Sequence, residues 1–446
     1  MSSTPRLECA DVDPSPLGQP LQFAFSGRTV PNRFLKGAMS ERLASFSLGD
    51  LNARGVPSPA LIQAYRSWGE AQIGINLTGN VMIDPGHLEA AGNPVIPQHA
   101  EFSGERFERF QELATAGKAK GCLIIAQVGH PGRQTAEYLQ PNPISASDVQ
   151  LNGDHMGVAF AKPRAATQED IANIIDSFAH AAEYLDKAGF DGIQLHGAHG
   201  YLLSQFLSPT TNLRTDQYGG NLKNRMRLIL EVRDEIAKRV RKDFVVGIKI
   251  NSVEFQEKGF QPDEAKELCE ALEEHAFDFV ELSGGTYENW PLANQKREST
   301  LEREAFFLQF AKLIVPGLSK TKTYVTGGLK TVEGMVKALD TVDGVGLGRA
   351  LCQEPNLCAL ILSGQVKGAM LQKLNMLDFG ATAGAAGLQI SQMGKGLQPV
   401  DLSIEENVAK VFSTFGAWAA AKKENLEMYE FPVLPDYNIP YATAVL

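Results

Sequence analysis

Residues 169–196 read EDIANIIDSFAHAAEYLDKAGFDGIQLH, and the rest of the chain repeats the unit they spell. Ile171, Ile174, Ile175, Phe178, Ala182 and Leu185 recur at spacings of three and four, which lays one apolar stripe along a helix over Glu169–Lys187. Lys187-Ala188-Gly189 supplies its C-cap, and the short run Gly192–His196 that follows has the length and character of a buried strand. A helix that must cover a sheet, followed at once by a strand that must be covered, predicts an α/β fold with a parallel sheet.

Working outward, the same alternation predicts strands at Leu35–Met39, Ile75–Val81, Leu123–Val128, Gly192–His196, Val245–Ile250, Phe279–Leu282, Thr323–Thr326 and Gly344–Leu347. Pro59–Gln72 and Leu222–Val240 are further helices between them. Eight βα repeats predict a closed (β/α)8 TIM barrel, because a doubly wound sheet would show five or six strands and a phosphate loop after the first. No G-x-G-x-x-G follows the first strand.

Three parts are expected. Residues 1–34 carry Leu21–Phe25 and Arg28–Val30 around a Ser26-Gly27 turn, read as a hairpin lid for the barrel bottom. Residues 35–364 form the barrel. Residues 365–446 form a C-terminal extension, Gly- and Ala-rich around Phe379–Gly387 and helical over Glu405–Lys423, the latter being the candidate surface for a homodimer.

Composition narrows the function. The chain has 446 residues, 43% hydrophobic and 21% charged, with a formal charge of -10, which disfavours nucleic acid or an anionic membrane as partner and favours a small molecule. Cys9, Cys122, Cys269, Cys352 and Cys358 are scattered without a CxxC pair, so neither a disulfide framework nor a metal cluster is indicated. The opening MSSTPRLECADVDPSP lacks the apolar core of a secretory peptide, and the expected location is cytoplasmic.

Barrel chemistry sits just past the C-terminal ends of strands. After the fourth strand comes His196-Gly197-Ala198-His199-Gly200-Tyr201-Leu202-Leu203-Ser204-Gln205-Phe206-Leu207-Ser208-Pro209, then Asn212, Arg214, Asp216, Tyr218, Gly219, Gly220, Asn221, Asn224 and Arg225. Two histidines three apart can aim ring N–H groups at one acceptor while the Tyr201 phenol delivers a proton. Zinc ligation, or a pair of satisfied core histidines, is the alternative for an isolated HxxH, but no third ligand stands at metal spacing.

This segment resembles the Old Yellow Enzyme family, and the likeness runs from about Leu35 to Pro355. The resemblance implies an FMN-dependent ene reductase, or NAD(P)H dehydrogenase, that takes hydride from NADPH or NADH and passes it to an activated alkene. It gives His196 and His199 the substrate's activating oxygen and makes Tyr201 the proton donor to the alpha carbon. FMN would lie against Ala38, Met39 and Ser40, the last offering a hydroxyl donor near N5 and O4, and against Gly79, whose small size admits the ring. Gln127 would pair with the pyrimidine edge, and Lys249, where relatives carry Arg, would neutralise the reduced ring. Gly327-Gly328 and Gly348-Arg349, within a GRALxxxP pattern ending at Pro355, would expose backbone N–H groups to the phosphate.

Three other readings stay open at this point. Lys249 could form a Schiff base in a non-redox, phosphate-binding aldolase or isomerase barrel. The flavin barrel could oxidise its substrate, as a dehydrogenase, or run mainly as an NAD(P)H oxidase that passes its electrons to oxygen. The fold could persist as an interaction protein without turnover. Glu41 and Arg42 stand where some relatives place a pocket aromatic, so substrate preference does not carry over.

Overall fold

Eight parallel strands close on themselves in the computed structural model, which describes residues 5–151, 158–252, 254, 258–284, 308–375 and 378–441. They are β1 (Phe34–Lys36), β2 (Ile75–Met82), β3 (Leu123–Gly129), β4 (Gly192–Gly197), β5 (Val245–Asn251), β6 (Phe279–Ser283), β7 (Lys322–Thr326) and β8 (Gly344–Leu347). Each pairs with its sequence neighbours, and β8 pairs with β1 to complete the (β/α)8 ring.

Side chains alternate across the barrel wall, and the alternation grades the interior from apolar to polar. Leu123 and Ile125 lead up to Gln127, Val245 and Gly247 lead up to Lys249, and Phe279 leads up to Glu281. The lower layer, with Leu35, Ile75, Leu77, Leu123, Ile125, Val245, Phe279 and Tyr324, forms one apolar cluster sealed from below by Leu21, Phe23 and Val30 of the N-terminal hairpin. Phe23 stacks on Phe279 with ring centroids 5.7 Å apart, so the hairpin closes the bottom as expected.

The outer helices carry their stripes inward. The Gln168–Lys187 helix starts at a capping box, in which the Asp170 N–H donates to Thr167 Oγ1 at 3.1 Å and the Thr167 N–H donates to Asp170 at 2.7 Å. Ile171, Ile174, Phe178, Ala182 and Leu185 are buried against the barrel.

Several expected boundaries moved, among them the end of the Pro59–Gln72 helix, which stops at Gly69. The first strand ends at Lys36 rather than Met39, because its ladders to β2 and β8 both stop there, and Ala38, Met39 and Ser40 lie on the segment that peels away. The stretch expected as one helix over Leu222–Val240 is two, Leu222–Arg225 and Arg227–Ala237, joined at Met226. Arg225 at the joint donates to the carbonyls of Leu207 and Gly220 and to Glu264, which ties the first piece to the β4 loop.

The C-terminal extension packs back onto the barrel. Its Gly- and Ala-rich part is a helix, Phe379–Gly394. Small residues let it approach the Pro59–Gly69 helix closely: a Cβ on Gly394 would come within 2.9 Å of the Ala60 carbonyl. A second cluster, Leu374, Ala385, Leu388, Val400, Leu402, Val408, Val411 and Leu434, ties it to the Glu405–Glu424 helix. Beyond that helix the chain returns to the loop after β1, where Leu48 N–H donates to Glu427 at 2.9 Å and Arg42 lies over the Phe431 ring at 4.6 Å. Among the described residues no helix is long and apolar enough to cross a membrane.

Candidate active site

His196 ends the inward face of β4, and the chain turns sharply to bring His199 and Tyr201 beside it. His199 adopts a φ of 57°, a costly conformation for a side chain with a Cβ, and Gly200 follows at 77°. The turn is held from both sides: the His199 N–H donates to Asn251 Oδ1 at 3.1 Å and the Gln134 amide donates to the His199 carbonyl at 3.1 Å. A Cβ on Gly200 would come within 2.5 Å of the Gln134 side-chain oxygen, and the positive φ there favours glycine as well.

The three rings then touch. The His196 and His199 rings lie 5.3 Å apart and nearly perpendicular, and the Tyr201 ring lies 4.2 Å from that of His196. Burial holds both imidazoles well below the ordinary histidine pKa; the positive charge of Lys249 adds to this for both, and for His196 so does His199. Both are neutral, and the Ala198 N–H donating to His196 Nδ1 at 3.4 Å leaves Nε2–H as the donor of that ring. His199 Nε2 is 2.9 Å from the Ser283 hydroxyl of β6.

Lys249 faces His196 across the β4–β5 ladder. It is buried, and its Nζ lies 3.0 Å from the carboxylate of fully buried Glu281. The other oxygen of Glu281 accepts from Gln194 Nε2 at 2.7 Å, and Gln194 Oε1 accepts from Gln127 Nε2 at 2.8 Å. The expected pair Gln127 and Lys249 is thus joined through Gln194 and Glu281, which sequence reading passed over. Their signal was present: each stands two residues along a strand from an inward-facing neighbour, Gln194 before His196 and Glu281 after Phe279.

Other expected positions meet different partners. The Ser40 hydroxyl, expected as a free donor, donates instead to Glu89 at 2.8 Å, because that carboxylate sits beside it with Asn80 and Asn93 as further donors. Gly79 is small because the Met39 carbonyl and the Glu41 carboxylate fill the space a Cβ would need. Gly327 and Gly328, with φ of 140° and 84°, make the turn after β7. Gly348 caps β8, but Arg349 points away to donate to Thr382 of the extension and lies 6.0 Å from the Phe379 ring.

One further cluster gathers ligand-type atoms: Asp84, His87 and His130 all lie within 4.8 Å of one another. Its lone pairs are in use, since the Ile144 N–H donates to His87 Nε2 at 3.3 Å and the Gly132 N–H donates to His130 Nδ1 at 3.0 Å. His87 Nδ1–H donates to Asp84 at 2.7 Å. Binding an ion through the remaining nitrogens would turn these ring acceptors into donors facing backbone donors. Burial and then His87 hold His130 down to about 3, so this ring too is neutral.

The chain has clear relatives. A family model for the NADH:flavin oxidoreductase / NADH oxidase family matches residues 16–367. An NADH-dependent flavin oxidoreductase, nadA, of Aspergillus parasiticus is 57% identical over 412 residues, 92% of this chain and 93% of that protein. A putative 12-oxophytodienoate reductase of Oryza sativa is 37% identical over 188 residues, 42% of this chain and 48% of that one. A solved structure of morphinone reductase in complex with tetrahydroNAD superposes with a TM-score of 0.63 at 23% identity, over 79% of this chain and 92% of that one, a likeness of fold.

Proposed function

Because the chain belongs to the NADH:flavin oxidoreductase / NADH oxidase family, we propose that it is an FMN-dependent enzyme that uses NADH or NADPH to reduce activated C=C bonds such as those of enones. The observation that carries this reading is the neutral His196–His199 pair with Tyr201 packed against it, opposite a buried lysine.

The residues fit a flavin. Thr326 Oγ1 is buried without a partner at the end of β7, and the ammonium N–H groups of Lys249, ion-paired with Glu281, stand at the end of β5. Gln127 Oε1, facing away from Gln194, remains an acceptor. Such a set suits a flat ring with a hydrogen-bonding edge. When bound, FMN supplies the hydride, taken from the nicotinamide and delivered to the alkene. The phosphate falls to Gly327, Gly328, Gly348 and Arg349, the last after release from Thr382. Ala38, Met39, Ser40 and Gly79 line the ring, with Ser40 offering oxygen lone pairs while Glu89 holds its proton.

In this mechanism His196 Nε2–H and His199 hold the substrate's carbonyl oxygen and stabilise the negative charge that grows there. Neutral imidazoles donate without giving up a full proton, and that leaves protonation of the alpha carbon to the Tyr201 hydroxyl. Lys249 steadies negative charge on the opposite side. The catalytic unit is residues 35–364, with 1–34 closing the bottom and 365–446 bracing the loop after β1.

The test is spectroscopic. Anaerobic NADH or NADPH should bleach the flavin bands of the purified protein, and cyclohexenone should restore them. Bleaching that oxygen alone reverses would make the protein an oxidase, and a folded protein without flavin would favour the non-redox barrel. Tyr201→Phe should leave flavin reduction intact and slow the alkene half-reaction by about a hundredfold; equal slowing of both halves would remove Tyr201 from the proton-donor role.

A further inference from the structure

Inside the barrel, polar side chains of four strands join in one directional chain. Gln127 of β3 and Gln194 of β4 are register partners, as are Lys249 of β5 and Glu281 of β6. The link between the two pairs skips a strand: Gln194 reaches Glu281 past β5, which contributes Gly247 at the level of Gln194 and so has no side chain to intervene.

Glu281 decides how the chain is oriented. An ionised carboxylate only accepts, so Gln194 must turn its NH2 toward it and its carbonyl toward Gln127. Gln127 must in turn donate its NH2 to Gln194, leaving its own carbonyl oxygen as an acceptor. At the other end Glu281 forms an ion pair with Lys249, its second oxygen 3.0 Å from Nζ but accepting no hydrogen bond. The result is an edge with an acceptor at Gln127 and cationic donors at Lys249, which complements a ring edge with an N–H next to a carbonyl, such as a flavin pyrimidine.

A cheaper interior was available. Replacing a buried ion pair by apolar side chains of similar volume is often neutral or stabilising. A fully buried carboxylate that fixes two amides and shares a cation needs a use beyond stability.

We infer that Glu281 and Gln194 are positioning residues that set the polarity of this edge, Glu281 by moderating the charge of Lys249 and orienting Gln194, and Gln194 by fixing the Gln127 amide. The inference rests on the FMN reading above. Neither residue need touch the ring: Glu281 acts through Lys249, and both act through Gln127.

Glu281→Gln removes the charge and keeps the shape. Lys249 then acts uncompensated on the ring, and the ratio of reduced to oxidised FMN in the holoenzyme, poised against a redox dye at fixed dye ratio, should shift about tenfold toward reduced. A ratio within twofold of wild type, or a shift toward oxidised, overturns the inference. Gln194→Leu frees the Gln127 amide while sparing the Lys249–Glu281 pair. Titration of the apoprotein with FMN, followed by quenching of flavin fluorescence, should show about tenfold weaker binding, with the dye-poised ratio unchanged. Unchanged affinity overturns the relay, and this variant decides the matter if Glu281→Gln does not fold. A wild-type apoprotein that takes up no FMN overturns the functional reading and the inference together, whereas wild-type binding with unaltered variants overturns the inference alone.

Discussion

Lys36 and Lys249 each stand near the C-terminal end of a barrel strand, buried and beside a glutamate, but they serve opposite sides of the wall. Lys36 turns outward beneath the Pro59–Gly69 helix, where Nζ donates to the Leu77 carbonyl at 2.8 Å and lies 4.2 Å from the Trp68 ring. Its glutamate, Glu41, accepts from the Tyr65 hydroxyl and from the Gly79 N–H, and Glu41 Oε2 alone of these groups lacks a partner. Burial pulls Lys36 down to about 8 against the attraction of Glu41, and burial pushes the Glu41 carboxyl up. The outward cluster spends its hydrogen bonds on itself and on the backbone. The inward one keeps donors and an acceptor in reserve. The same two residue types thus brace the wall in one place and build a candidate binding edge in the other, and the difference lies in what surrounds them.

The outward cluster is the place for the largest effect. Glu41→Ala strands the Lys36 charge in the wall and should cost about 3–5 kcal/mol in urea unfolding. The double change Lys36→Met with Glu41→Gln removes both charges and should recover most of that loss. A single variant costing under about 1 kcal/mol would show that Lys36 does not need its glutamate, and the contrast between the clusters would fail.

Acid tests the inward side. His196 and His199 have folded pKa values below the ordinary one, so below pH ~6.5 the unfolded chain binds protons that the folded chain refuses. Their contribution to stability is present above that pH and is lost as pH falls. His196→Asn removes one such group, and the fall in stability on acidification should flatten by up to about 1.4 kcal/mol per pH unit. An unchanged acid limb in chemical denaturation would mean that His196 is charged in the fold.

A smaller effect approaches the outward cluster from the C-terminal side. Gly92, at φ 86°, accepts from the Ala44 N–H at 2.9 Å, and a Cβ there would come within 2.5 Å of the Tyr429 ring. Gly92→Ala should cost about 1–2 kcal/mol by thermal melting, since it strains the backbone and pushes the tail off the loop that carries Ser40 and Glu41. A melting temperature equal to wild type would show that the tail is not braced there.

The barrel was legible because each strand is short, apolar and followed by an amphipathic helix, a local pattern that needs no knowledge of partners. The ring order and the turn at His199 to Tyr201 agree with it for the same reason: all three rings sit within six residues of one chain. The boundaries that moved lie where local pattern competes with distant contacts, as at Met226, beside an arginine that reaches back to Leu207. The partner of Ser40 was hidden in the same way, 49 residues along.

The amino-acid order by itself determined the eight βα units, the alternation that lifts Gln127, Lys249 and Glu281 to the upper layer, and the histidine–tyrosine turn. Spacings of two in a strand and of three or four in a helix are properties of the backbone alone. Only the tertiary structure decided which groups meet across the ring. Gln194 finds Glu281 87 residues away, and Arg349 leaves the strand end for Thr382 of the extension. Closure of the barrel sets those distances, and a hydrogen bond between side chains carries no periodicity from which the order of residues could announce it.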